Sequence, residues 1–158
     1  PPRASRPRSS TPEVEPVLLE RGSELTPERF GHERAPGLGD YLFDGIDARI
    51  GPRELARLAA RTVLLLRRAR RLANRKPTAP LPRGAEESLY AVAACGRLHV
   101  TGPDWQPGAA LTRQLWRLAV TVAAARRLGL DVDVAPSTLR CDGRVDRVLA
   151  RVVRRWAV

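Results

Sequence analysis

The chain has 158 residues, of which 43% are hydrophobic and only 4% aromatic, and its formal net charge is +11. That length fits one domain with a real core, built mainly from Leu, Val and Ala. No apolar run approaches the roughly 20 residues that span a bilayer, and no apolar secretory h-region follows the N-terminus.

The basic residues are 27 Arg and one Lys, Lys76. Ile and Asn are scarce as well, so the composition points to a GC-rich genome, which favours Arg over Lys by codon usage. Codon usage does not explain where the charge falls. Residues 52–76 hold nine basic residues and one acidic, a net of +8. The flanking segments are nearly balanced: −2 over 1–51, +2 over 77–141 and +3 over 142–158.

Residues 1–18 are rich in Pro, Ser and Arg and are expected to form an extended or disordered arm. Residues 19–158 are expected to form a single helix-rich domain. Val17, Leu18 and Leu19 are candidates to anchor the arm on it. Thr26-Pro27-Glu28 is a helix start cut short by Gly31. Asp40 is expected to cap a second short helix with Leu42, Phe43, Ile46 and Ile50 on one side, and Gly51 to turn the chain into the next.

The central helix is expected near residues 52–75. Pro52 suits the first helical position and Glu54 complements the positive end of the dipole. Leu55, Leu58, Ala59, Thr62, Leu65, Leu66, Ala69, Leu72 and Ala73 recur at spacings of three and four, which makes one apolar face. Val63 and Leu64 widen it and predict cover on more than one side. This face is the expected spine of the core. Arg67, Arg68, Arg70 and Arg71 crowd the last turns, and Pro77 stops the helix.

After the Pro-rich link 77–84, a helix is expected over 85–95 with Leu89, Val92 and Ala93 inward, then a short strand near 97–101. Trp105 lies in the loop that follows. A second long helix is expected over 109–128, with Leu111, Leu115, Leu118, Ala119, Val122 and Ala125, joined by Trp116, on its apolar face, closed by Gly129. A strand near 130–134 should turn Asp131 and Asp133 to water, and 138–141 should pair back as a hairpin. A last helix over 144–157 carries Val145, Val148, Leu149, Val152, Val153 and Trp156 at helical spacing. The fold class is therefore mainly α with a minor β element, an α+β arrangement.

Chemistry is sparsely signalled. His32 and His99 lack HxH, HExxH or CxxC company, Ser88 and Ser137 lack a nucleophile elbow, and no phosphate-cradling glycine motif is present. The Asp131/Asp133 pair alone does not make a two-metal site. Cys95 and Cys141 are expected to be buried, reduced thiols, so a reducing, intracellular setting is favoured. The expectation is a non-enzymatic protein with no cofactor and no metal.

The basic end of the central helix is the strongest functional signal. Arg67, Arg68, Arg70, Arg71, Arg75 and Lys76 are candidate contacts to a nucleic-acid backbone, acting by phosphate neutralisation. The same cations suit an acidic protein surface or a subunit of a larger assembly. The alternative is a protein–protein adaptor using the N-terminal arm, Trp105 and Trp156 as anchors.

Overall fold

The computed structural model describes residues 38–46, 50–100, 108–134, 141 and 143–156. Among them run five helices and two strands: α1 Leu38–Phe43, α2 Pro52–Ala73, α3 Arg83–Ala94, β1 Arg97–Val100, α4 Ala109–Arg127, β2 Asp131–Val134 and α5 Arg144–Trp156. The class is the expected one. The N-terminal arm, the helix start at Thr26 and the loop holding Trp105 lie outside the described residues, as do 138–140 of the expected hairpin strand. Cys141 is not in a strand.

The core is organised around α4. From Leu118 to Ala125 every residue is buried, whichever way it points around the helix. The sequence LAVTVAAA supplies apolar surface on all sides, and a helix apolar all round has to be enclosed. Its neighbours are α1, α2, α5 and β2. The apolar face of α2, the expected spine, joins this core through Leu58, Leu65 and Ala69, which are buried, with Leu66 and Leu72 packed against it. Val63 and Leu64 are 47% and 52% exposed, so the cover predicted for them is not there among the described residues. Leu55, Ala59 and Ala73 are exposed as well.

Strands β1 and β2 pair in parallel, with Leu98 opposite Val132 and His99 opposite Asp133. Parallel neighbours need a crossover, and α4 supplies it. Alternation puts Leu98 and Val132 against the core, while Arg97, His99, Asp131 and Asp133 face water. Gly129 closes α4 with φ of +85°. Leu130 N–H reaches Ala125 C=O at 3.0 Å and Gly129 N–H reaches Arg126 C=O at 3.1 Å, a Schellman ending.

Helix α1 begins at Leu38, so Asp40 sits in its first turn and does not cap it. It ends at Phe43, well short of Gly51, and Ile46 beyond it is still buried. Three arginines hold it. The Arg61 guanidinium donates to the carbonyls of Tyr41, Leu42 and Asp44 at 3.2, 3.0 and 2.7 Å. Arg113 and Arg117 lie over the Phe43 ring at 5.1 and 5.3 Å, and Arg113 donates to Ile46 C=O. Cations at a helix C-terminus satisfy its orphan carbonyls and oppose its dipole. Gly39 lets Arg117 pass: a Cβ there would stand 2.7 Å from Arg117 Cδ.

On α3, Leu89 and Val92 are buried as expected, but Ala93 is exposed and Ala85 and Ser88 take its place. Helix α5 is likewise rotated from its sequence pattern. Its inward side is Asp146, Ala150 and Val153, with Leu149 and Val152 half-buried, while Val145 and Val148 are exposed. The rotation follows from a polar contact, because the buried Asp146 carboxylate accepts from Thr112 Oγ1 on α4 at 2.7 Å. Cys95 and Cys141 are half-buried, more exposed than expected. Among the described residues no helix is long and apolar enough to cross a membrane.

Candidate nucleic-acid interface

The last turns of α2 present the cations that the sequence singles out. Helical spacing sends Arg67, Arg70 and Arg71 away from the core face of Leu58, Leu65 and Ala69, and all three are exposed. The backbone then leaves the helix in a second Schellman ending. Arg75 N–H reaches Leu72 C=O at 3.0 Å and Lys76 N–H reaches Arg71 C=O at 2.9 Å. This geometry needs a left-handed residue, and Arg75 takes it at φ of +53°. Arg75 and Lys76 are exposed beyond it. Asn74 Nδ2 donates to Arg70 C=O at 2.8 Å and the Arg71 guanidinium to Pro77 C=O at 3.1 Å, so the exit of the chain is tied to the helix end.

Arg68 is different from its neighbours. It points to α3, with its side chain only 11% exposed, and Glu86 holds it. Arg68 Nε lies 2.9 and 3.2 Å from the two carboxylate oxygens, and Nη2 bonds the same carboxylate and, at 3.3 Å, Tyr90 Oη. Hydrogen bonding from Arg68 holds the Glu86 carboxyl below the usual carboxylate range, and burial works against this. Glu86 also accepts from Leu81 N–H at 3.0 Å. Arg68 is thus engaged inside the domain, while Arg67, Arg70, Arg75 and Lys76 have no carboxylate partner among the described residues.

Comparison with protein-family models, curated protein sequences and solved structures finds no match.

The remaining candidates divide plainly. His99 Nδ1 and Asp133 Oδ2 are 2.9 Å apart, but they occupy opposite register positions on the open face of the sheet, at 56% and 62% exposure. Cross-strand pairing of that kind accounts for the contact. Among the described residues no three His, Cys, Asp or Glu side chains converge on a metal-sized site. His32 and Trp105 lie outside the described residues, as does the side chain of Trp156. Trp116, which is described, donates from Nε1 to Thr62 Oγ1 at 3.0 Å and so ties α4 to α2.

A second basic face was not singled out by the sequence reading. Arg144, Arg147, Arg151, Arg154 and Arg155 are all exposed on α5. The signal was present in their spacing of three and four and in the +3 of the last segment.

Proposed function

We propose that this chain is a non-enzymatic basic protein that engages the phosphate backbone of nucleic acid, free or within a larger ribonucleoprotein-like assembly. The contacts are Arg67, Arg70, Arg71, Arg75 and Lys76. The observation that carries the reading is that these cations gather at one exposed helix end and that no described carboxylate neutralises them, except that Arg71 also donates to a carbonyl. Guanidinium groups so placed replace condensed counterions on phosphates, which gives affinity without base readout. Arg68 is left out of the set because Glu86 already satisfies it.

The test is binding to generic RNA and duplex DNA across a salt series, with the wild type and an Arg67/Arg70/Arg71/Lys76→Gln variant. Each lost phosphate contact should flatten the log–log salt slope by about 0.7–0.9. A wild type that fails to bind at low salt overturns the reading and leaves an acidic protein surface as the partner of the same cations.

A further inference from the structure

The outward face of α2 is patterned along its whole length, and the proposed nucleic-acid contacts are only its last part. Counting outward positions at steps of three and four from the N-terminus gives Arg53, Ala56 and Arg57, then Ala60, Val63 and Leu64, then Arg67, Arg70 and Arg71. Every one of these residues is exposed. The face is therefore basic, then apolar, then basic. Val63 and Leu64 are adjacent and about half exposed, at 47% and 52%. Together with the alanines they make a continuous apolar stripe, whereas scattered single side chains would call for no explanation.

A second copy of the chain fits this face poorly. Whether two α2 helices lie parallel or antiparallel, arginines at each end of one meet arginines of the other, because both ends carry the same sign. The face calls for an occupant that is acidic, then apolar, then acidic. The chain contains such a segment. Residues 13–24 read EVEPVLLERGSE, with Glu13 and Glu15 before Val17, Leu18 and Leu19, and Glu20 and Glu24 after them. Four glutamates stand against one arginine in a stretch of an otherwise basic protein.

We propose that residues 13–24 dock on the outward face of α2, with Val17, Leu18 and Leu19 over Val63 and Leu64 and the glutamates on the flanking arginines. The order of charges fits in either direction of the segment, because both patterns are symmetrical in sign. Reach is sufficient. The segment lies outside the described residues and joins α1 through residues 25–37, a length that extends up to about 40 Å. Arg61 fixes α1 against α2, so the connection has only to round a helix roughly 10–12 Å across. Being on the same chain, the segment is present at high effective concentration and needs little intrinsic affinity. The docking does not depend on nucleic-acid binding; phosphates compete with the segment for Arg67, Arg70 and Arg71, so docking lowers affinity at these contacts without abolishing it.

The experiment is hydrogen exchange on the full chain, without nucleic acid, read at the amides of residues 14–21. Two variants are compared with the wild type: Val63→Ser/Leu64→Ser, at exposed positions where the fold tolerates the change, and Glu13/Glu15/Glu20/Glu24→Gln. In the wild type these amides should exchange about tenfold or more slowly than unstructured chain, and both variants should return them to the unstructured rate. Sedimentation run alongside should show a monomer throughout. Unprotected amides in the wild type overturn the proposal, as does protection that either variant leaves intact. A wild-type dimer that the Val63→Ser/Leu64→Ser change dissociates also overturns it, because a second copy would then cover the face.

Discussion

Arg68 on α2 and Glu86 in the first turn of α3 form a charge pair that joins the two helices, with side chains only 11% and 15% exposed. The pair lies just beneath the surface, so water still screens part of it. Replacing Glu86 by Gln leaves the guanidinium covered without its counter-charge, and should cost on the order of 2 kcal/mol in urea unfolding. The Glu86 carboxyl is held below its ordinary range, first by the Arg68 hydrogen bonds. A depressed carboxyl contributes stability that is fully present above its unfolded value. It is lost as pH falls below about 4.3 and through the folded value. Stability should therefore drop less between neutral and acid pH in Glu86→Gln than in the wild type.

Arg67 and Arg68 are adjacent in sequence and opposite in role. Arg67→Gln should leave stability within about 0.5 kcal/mol of wild type, as surface changes do. It should also flatten the salt slope for RNA by about one contact. Arg68→Gln should lower stability by about 1–3 kcal/mol, through the loss of its bonds to Glu86, and leave the salt slope of the folded protein unchanged. Unfolding and binding titrations on the same two variants check both halves.

Arg75 occupies a left-handed position that glycine fills without cost. Its φ of +53° closes α2 through the bonds of Arg75 and Lys76 N–H to Leu72 and Arg71 C=O. An L-residue there costs about 1 kcal/mol. Arg75→Gly should therefore raise stability by about that amount and raise the thermal midpoint. The same change should weaken any phosphate binding slightly, since it removes an exposed cation. A side chain kept at a strained position against stability is consistent with a use for its charge.

Element positions were largely legible because their signals are local. Pro52 and Pro77 bracket α2, Gly129 ends α4, and the alternation of LDVDV gives β2 its wet and dry faces. What was not legible depends on contacts between distant residues. Nothing near Arg68 says that Glu86, eighteen residues on, will engage it, whereas Arg67 looks the same in sequence and is free of such contact. The rotation of α5 is set by Thr112 meeting Asp146, 34 residues apart. The sequence pattern placed Val145 and Val148 inside because periodicity identifies an apolar face but not which part of it finds a partner. Parallel pairing of β1 with β2 across α4 was likewise invisible to a reading that looked for a hairpin.

Arg61 shows that part of the arginine excess is structural. Its guanidinium serves three carbonyls at the end of α1 and lies 5.7 Å from the centroid of the Tyr41 ring. Arg61→Ala should cost about 2–3 kcal/mol, because charged donors to otherwise orphaned carbonyls are lost together. Arg57→Ala, one turn earlier and exposed, should change stability by less than about 0.5 kcal/mol. Arg61→Lys should recover only part of the loss, since an ammonium cannot reproduce the planar fork. Chemical denaturation of the three variants separates the role of this arginine from the general effect of charge.

The enclosure of α4 has its own consequence for mutation. Ala124 is fully buried at 0% exposure on a stretch of α4 enclosed on all sides, and Ala60 is exposed on the outward stripe of α2. Both are helical alanines beside apolar neighbours, so a sequence pattern treats them alike. Enlarging Ala124 to Leu has to push apart the elements packed around α4, and overpacking of that kind costs about 1–3 kcal/mol. Ala60→Leu should be close to neutral, since leucine is nearly as good a helix former as alanine and the position has room. If α4 were open at Ala124, the two changes would be equally mild. Urea midpoints for Ala124→Leu and Ala60→Leu decide between the two arrangements, and tolerance at Ala124 would show that α4 is not enclosed.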